Sequence, residues 1–231
     1  ADARPRQERP CNASGRGVCA MTIPAAFLEA AGWAHATAAP LAGDASTRRY
    51  TRLTQGNKSA ILMEAPVSND AERASYDAFR RIGAHLADLA LSAPAEYAAD
   101  PDNGLILMED FGDTPLSGLL ASDSSSAKEA YTATAMLLPR LAANPPQGLL
   151  SPNPTAMAQM VSLTFDLLPG SDALRNTLLP ALVDALATYA SGPPVLSLRD
   201  VHADNLLWLP KRIGDARIGL LDFQDAMMLP A

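Results

Sequence analysis

The sequence has few of the residues on which several classes of protein depend. Its two cysteines both lie within the first 20 of 231 residues, so no disulfide framework supports a core. Its three histidines are far apart, at positions 35, 85 and 202, which argues against a zinc site built from several histidines. It also has no apolar run long enough to predict a membrane span, so we expect no membrane association.

Positive charge is scarce as well. The formal net charge is −7, because 25 Asp and Glu outnumber 18 Lys and Arg. A nucleic-acid-binding surface needs clustered Lys and Arg, so nucleic acid is not an expected partner. No apolar signal segment is visible, and together with the scarcity of cysteine this favours a cytoplasmic location.

The apolar content of 48% is enough for one large domain or two lobes. Residues 1–20 contain Arg, Pro and Gly with few apolar side chains, which predicts a disordered or non-native tail. Strand-like patterns then dominate residues 21–113, and helical patterns dominate residues 114–231. The sequence therefore predicts an α+β protein with a β-rich N-lobe and a helical C-lobe.

Periodicity and turn residues predict the individual elements. We expect helices over 22–33 (with Thr22 as N-cap), 69–90, 126–143, 154–168 and 172–191. We expect a β-hairpin over 46–66 with its turn at Gln55-Gly56-Asn57, and strands over 104–113, 194–198, 205–209 and 216–221.

Two polar stretches near the end of the sequence carry the functional signal. In the first, Arg199-Asp200 is followed five positions after the Asp by Asn205, and in the second, Asp222 ends an apolar run. Asp and Asn are common in turns, so a purely structural role is one interpretation. The joint spacing also matches the catalytic loop and the second magnesium ligand of phosphoryl-transfer kinases. A carboxylate there accepts the proton of the attacking hydroxyl, and the Asn and the second Asp hold Mg²⁺ against the ATP phosphates.

The sequence also resembles a known family. The segments GDASTRRYTRL, AILMEAP, LILMEDFGD, RDVHADNLLWLP and GLLDFQDA resemble the aminoglycoside phosphotransferase superfamily over about residues 22–226. Within it they are most similar to the bacterial anomeric kinases of N-acetylmuramate and N-acetylglucosamine, which act in cell-wall recycling. The resemblance implies a bilobal protein-kinase-like fold, ATP and Mg²⁺ as cofactors, and a small-molecule acceptor, with an amino sugar as the expected substrate.

The resemblance also implies roles for particular residues. Asp200 would be the catalytic base, Asn205 and Asp222 would bind the metal, and His202 would support the loop. The cofactor-binding residues would be a turn over the phosphates, a hinge beside the adenine, and two arginines: Gly43, Asp44, Ala45 and Ser46; Glu109, Asp110 and Phe111; Arg48 and Arg52.

Three departures from the family pattern stand out. Leu198 replaces the usual His before the Arg-Asp pair, and a packing role for that His could be filled by Leu. Met63 lies about where kinases keep a phosphate-binding Lys; Arg48 and Arg52 could supply that charge, or could be solvated surface residues. The family normally continues well beyond DFQDA, so we expect a truncated chain with an incomplete helical C-lobe.

Other functions stay open at this point. The acceptor could be an aminoglycoside or a choline-like amino alcohol, which other members of the superfamily phosphorylate. The chain could also be a truncated, non-catalytic kinase-like domain, although both metal ligands and the base are present. The sequence predicts no oligomeric state.

Overall fold

The computed structural model describes residues 24–41 and 47–230. The chain divides into two compact units, Ala1–Ala34 and His35–Ala231. This division differs from the predicted tail and lobes, whose boundaries stay predictions.

Helix α1 spans Ala25–Ala30 in the first unit. It is shorter than the predicted helix over 22–33, and the predicted N-cap, Thr22, lies outside the described residues. The helix ends early because Gly32 takes up a left-handed conformation with φ of 78°, which is typical just beyond a helix C-terminus.

The second unit begins with a five-stranded antiparallel sheet. Its strands are β1 (Thr37–Pro40), β2 (Arg49–Gln55), β3 (Lys58–Glu64), β4 (Glu96–Asp100) and β5 (Leu105–Glu109), in the order β1-β2-β3-β5-β4. The pairing of Gln55 with Lys58 leaves Gly56-Asn57 as a two-residue turn, and the φ of 61° at Gly56 suits a type II′ turn. The predicted hairpin is therefore confirmed for β2 and β3.

Helix α2 (Asp70–Asp88) connects β3 to β4. Asn69 caps its N-terminus, and the Asn69 side chain accepts from the Glu72 N–H at 3.0 Å. The Glu72 carboxylate in turn accepts from the Ser68 N–H at 2.7 Å. The predicted helix is confirmed at both ends to within two residues.

The buried face of α2 is only partly as predicted. We expected an apolar side of Ala74, Ala78, Ile82, Leu86 and Leu89, but the buried residues are Tyr76, Phe79, Ile82 and Leu86. The aromatic side chains decide the orientation because they bury far more area than alanine does. The Tyr76 hydroxyl donates to the carbonyl of Leu105 at 3.0 Å, and burial raises the pKa of this tyrosine to about 12.

Five helices follow the sheet: α3 (Leu116–Ser122), α4 (Ser124–Ala143), α5 (Pro154–Met160), α6 (Ser162–Asp166) and α7 (Asp172–Tyr189). The predicted helix over 154–168 is interrupted at Val161, and α3 was not predicted. Among them, α4 contributes most to the core, through residues such as Ala130 and Leu137. No residue of helix α7 is buried, although its sequence is apolar.

Four short strands end the described chain: β6 (Pro194–Ser197), β7 (Leu206–Trp208), β8 (Ile218–Leu220) and β9 (Met227–Pro230). A 3₁₀ turn at Gly214–Arg217 precedes β8. Strand β6 pairs antiparallel with β9, and β7 pairs antiparallel with β8. The first three strands were predicted to within two residues, whereas β9 was not.

A single core cluster joins the sheet, the helices and the short strands. It includes Met63 of β3, Phe79 of α2, Leu116 of α3, Leu137 of α4 and Phe223 after β8. In the part of the chain that the structure describes, every helix is too short or too polar to cross a membrane.

Candidate active site

The two polar stretches form neighbouring loops because two strand pairs enclose them. Loop A (residues 198–205) joins β6 to β7, and loop B (residues 221–226) joins β8 to β9. The β6–β9 pair, with Ser197 opposite Met227, holds the start of loop A beside the end of loop B. The β7–β8 pair holds the other two ends together in the same way. Residues far apart in sequence therefore meet in one place.

Loop A folds around the backbone of Asp200. The Asp200 N–H donates to the carbonyl of Leu198 at 2.9 Å. The Asp200 carbonyl accepts from the His202 N–H at 3.0 Å and from the Asn205 side-chain amide at 3.1 Å. These bonds fix Asn205 against the loop, while the Asp200 residue is exposed to solvent.

Two further residues support loop A. The His202 ring accepts a hydrogen bond from the Asp204 N–H at 3.3 Å, and its carbonyl accepts from the Asn205 N–H at 3.0 Å. Leu198 is buried in the core cluster. The residue that replaces the usual His therefore has the packing role that a Leu can fill.

Backbone strain is concentrated at the two loops. Among the described residues, three that are not glycine have positive φ, and two of these are Arg199 (70°) in loop A and Asp222 (53°) in loop B. Side chains disfavour this left-handed region, and such residues cluster at functional sites, where the surrounding structure holds them.

Loop B places Asp222 next to Asn205. The Leu221 N–H donates to the carbonyl of Asn205 at 2.9 Å, which joins the two loops directly before Asp222. Asn205 and Asp222 are both half-buried. One carboxylate oxygen of Asp222 accepts from the side-chain amide of Gln224 at 2.6 Å.

The residue after Asp222 anchors loop B to helix α2. Phe223 is fully buried and stacks on Phe79, with ring centroids 5.0 Å apart and an angle of 22° between the rings. Its ring also lies against Gly83, where an added Cβ would be 3.3 Å from it. A large side chain at position 83 would displace this ring, and Asp222 with it.

Asn205 and Asp222 are the side chains whose oxygens could hold a divalent cation. Mg²⁺ prefers oxygen ligands and is usually bound through one or two carboxylates together with substrate phosphates. No group of three or more His, Cys, Asp or Glu that could hold a metal exists within residues 24–41 and 47–230. A carboxylate and an amide on adjoining loops therefore suit an open magnesium site better than a closed protein cage.

Arg48 is not a solvated surface residue. It is buried, its guanidinium donates to the Ser75 hydroxyl at 2.8 Å, and it lies 5.8 Å from the centre of the Phe79 ring. It also lines a cavity of about 240 Å³ that is bordered by Ser75 and Tyr76 of α2. Arg48, two positions after the predicted phosphate turn, thus points towards α2.

Arg52 makes ion pairs with the segment that follows β5. Its guanidinium donates to both carboxylate oxygens of Asp113 at 2.8 Å and to Asp110 at 3.1 Å. The hydrogen bond from Arg52 lowers the pKa of Asp113. Much of the charge on Arg52 is therefore balanced within the protein.

The side chains of the predicted hinge are also bonded within the protein. The Glu109 carboxylate accepts from the guanidinium of Arg212, which lies 5.0 Å from the centre of the Phe111 ring. The Asp110 carboxylate accepts from the N–H of Gly112 at 2.9 Å. A ligand at this hinge would therefore be bound mainly through backbone groups.

A cavity of about 450 Å³ lies beside the hinge. Its lining includes Glu109, Asp110 and Phe111 together with Lys211 and Arg212. It places the three predicted hinge residues around one cavity. Neither loop A nor Asp222 of loop B lines this cavity.

Other predicted cofactor-binding positions are less informative. Gly43, Asp44, Ala45 and Ser46 lie outside the described residues. Met63 is fully buried in the core cluster, so the strand position where kinases keep a Lys is apolar in this chain.

Two further residues contribute to the site, and neither has a clear signal in the sequence. Gln224 contacts the Asp222 carboxylate, and its only sequence signal is its position two residues after Asp222, between Phe223 and Asp225. Arg212 braces the hinge from the loop between β7 and β8, which the local sequence does not indicate.

Comparison with known proteins identifies the family of this chain. A family model described as "Phosphotransferase enzyme family" matches residues 37–231. The chain belongs to this family. The N-acetylmuramate/N-acetylglucosamine kinase of Caulobacter vibrioides is 35% identical to it over 88% of the chain and 67% of the relative. The resemblance inferred from the motifs is thereby confirmed.

Solved structures confirm the kinase-like fold. The choline kinase LicA from Streptococcus pneumoniae superimposes with a TM-score of 0.59 at 17% identity, over 83% of this chain and 66% of that one. The streptomycin-ATP-APH(2")-IIa ternary complex superimposes with a TM-score of 0.62 at 14% identity, over 90% and 73%. The chain thus spans about two thirds of the length of the relatives it matches.

Proposed function

We propose that this chain carries the catalytic centre of an ATP-dependent kinase whose acceptor is an amino sugar, N-acetylmuramate or N-acetylglucosamine. Family membership supports phosphoryl transfer to a small-molecule hydroxyl. The Caulobacter relative supports the amino sugar, and phosphorylation at the anomeric hydroxyl is the finer part of the proposal. A cytoplasmic location, where ATP is available, belongs to the same proposal.

One observation carries the mechanism: the two strand pairs fix loop A beside loop B. Asp200 and Asn205 belong to loop A and Asp222 to loop B, and the two loops are joined by the hydrogen bond from the Leu221 N–H to the carbonyl of Asn205. Phosphoryl transfer depends mostly on positioning and electrostatic stabilisation, so a rigid arrangement of these groups is what the reaction needs.

Asp200 is suited to act as the base. It is exposed, so an acceptor hydroxyl can reach its carboxylate, while its backbone is held by three hydrogen bonds. In this role it orients the hydroxyl and accepts its proton as the oxygen attacks the terminal phosphate of ATP.

Asn205 and Asp222 would hold the magnesium ion. When bound, the ion supplies positive charge that offsets the charge of the ATP phosphates. Asn205 is oriented by the hydrogen bond that its side-chain amide donates to the Asp200 carbonyl, and Asp222 by the hydrogen bond that it accepts from Gln224. Each of the two metal-binding side chains would therefore be held by one hydrogen bond before the metal binds. Glu109, Asp110 and Phe111 would place the adenine.

Choline and aminoglycosides are less well supported as acceptors. The choline kinase and the streptomycin complex resemble this chain at 17% and 14% identity, which shows the fold alone. The Caulobacter relative is twice as similar in sequence.

An acceptor panel tests the proposal. The purified chain would be incubated with Mg-ATP and, separately, N-acetylmuramate, N-acetylglucosamine, streptomycin and choline, and the products would be examined by phosphorus NMR. We expect an anomeric phosphate on the amino sugars and no phosphorylated streptomycin or choline. Phosphorylation of streptomycin or choline alone would refute the amino sugar, and turnover of none of the four would refute the kinase proposal for this chain.

A further inference from the structure

Gln224 is a buried polar residue whose presence the packing of the core does not explain. The residue is 8% exposed, and its side-chain carbonyl oxygen is buried without a hydrogen-bond partner among the described residues. A buried polar atom without a partner destabilises a fold, so each such atom in a native protein needs an explanation. A methionine of similar length would fill the same space without this penalty.

The other end of the amide does have a partner. The side-chain nitrogen of Gln224 donates to one oxygen of the Asp222 carboxylate at 2.6 Å. That bond assigns the orientation of the amide, because a carboxylate accepts from an N–H and repels a carbonyl oxygen. The Gln224 amide therefore leaves its oxygen without a partner, and the hydrogen bond to Asp222 is the favourable contact that the amide makes.

A neutral donor suits a metal-binding carboxylate. A Lys or Arg at position 224 would neutralise Asp222 and compete with a cation for it, whereas the amide leaves the negative charge in place. It also engages a single carboxylate oxygen, Oδ1, so that Oδ2 stays available for a metal. The backbone of Asp222 is held at φ of 53°, next to the anchored ring of Phe223.

We propose that Gln224 is a positioning residue that fixes the Asp222 carboxylate so that its second oxygen faces a divalent cation. This inference rests on the proposed function, because it assumes that Asp222 binds the magnesium of Mg-ATP. Mg²⁺ demands nearly ideal octahedral geometry, so a carboxylate that can rotate binds it less well. Removing a group that holds a metal ligand in place typically lowers metal affinity by about 10- to 100-fold.

The test compares Gln224→Met with the unaltered chain. Binding of ADP would be measured by titration calorimetry at increasing Mg²⁺ concentration and also with chelator, and the thermal midpoint would be recorded for each protein. We expect Gln224→Met to keep or raise the thermal midpoint and to need about 10- to 100-fold more Mg²⁺ for half-maximal enhancement of ADP binding. Binding of ADP without metal should be unchanged.

Two controls make the result specific. Asp225→Asn removes an exposed carboxylate from the same loop and should leave the Mg²⁺ requirement as it is. Gln224→Asn keeps an amide that is one carbon too short to reach Asp222 in its present position, so it should behave like Gln224→Met. If Gln224→Met does not fold, Gln224→Asn provides the test.

Three outcomes would overturn the inference. If both variants need the same Mg²⁺ as the unaltered chain, Gln224 does not position Asp222, and the proposed kinase function is unaffected. If ADP binding falls equally with and without Mg²⁺, the role of Gln224 is structural. If the unaltered chain shows no Mg²⁺-dependent binding of ADP, the proposed function fails together with this inference.

Discussion

At the scale of single residues, the structure assigns charges to partners that the sequence pattern could not identify. Arg48 lies directly before β2 and Arg52 lies within it, and their side chains reach different neighbours. Arg48 contacts Ser75 of α2, and Arg52 contacts Asp110 and Asp113 after β5. Whether either guanidinium can bind a nucleotide therefore depends on its contacts with α2 or with the segment after β5.

The Arg52–Asp113 pair gives a pH-dependent prediction. Because Arg52 lowers the pKa of Asp113, the pair stabilises the fold above the unfolded-state pKa of that carboxyl and ceases to do so as the pH falls through its folded-state pKa. Arg52→Gln should raise the pKa of Asp113 towards its ordinary value, as measured by NMR titration. The pair is exposed, so the stability change should be small and should weaken with added salt.

Asp123 is the matched control. Its pKa is lowered by hydrogen bonds from Ser126 at the start of α4, without any contribution from Arg52. If Arg52→Gln moved the pKa of Asp123 as much as that of Asp113, the effect would be global and the proposed ion pair would not be its cause.

At the scale of elements, sequence predicted best the pieces that have long periodic patterns and explicit caps. Helix α2 was predicted from a cap at Asn69 or Asp70 ahead of a long apolar period, and Asn69 is the residue that caps it. Strand β1 was not, since its four residues are all exposed and do not alternate. The break at Val161 and the pairing of β6 with β9 depend on tertiary packing that no local pattern encodes.

The candidate site shows the same division. The spacing of Asp200, Asn205 and Asp222 could be read from the sequence because a shared chemistry constrains it. Gln224 and Arg212 could not be assigned, since their roles arise only when loop B and the β7–β8 connection reach their partners.

The connection between β4 and β5 gives a stability prediction. Gly104 has φ of 67°, and a Cβ there would lie 2.0 Å from the carbonyl oxygen of Ala65, whereas Gly112 has φ of 81° and open space around it. Gly112→Ala should destabilise the fold by only about 1–2 kcal/mol, the usual penalty of the left-handed region. Gly104→Ala should be clearly more destabilising, as measured by urea unfolding, because backbone must move. Equal losses would contradict this packing.

At the scale of the whole molecule, one core cluster extends from the sheet to the short strands that flank loops A and B. We therefore expect the unit His35–Ala231 to unfold in a single transition rather than lobe by lobe. In a Trp33→Phe variant, the fluorescence of buried Trp208 would report on the short strands, and circular dichroism would report on the helices. The two urea midpoints should coincide. A separate, earlier transition for Trp208 would contradict a shared core.

The central claim is that Asp200 acts on the acceptor whereas Asp222 acts on the metal. The most direct measurement determines turnover and the Mg-ATP dissociation constant for Asp200→Asn and Asp222→Ala, with Asp204→Asn as an exposed control from loop A. We predict that Asp200→Asn lowers turnover by about 10²- to 10⁴-fold with Mg-ATP binding nearly unchanged, that Asp222→Ala weakens Mg-ATP binding itself, and that Asp204→Asn changes neither. Near-normal turnover by Asp200→Asn, or unchanged Mg-ATP binding by Asp222→Ala, would contradict the account.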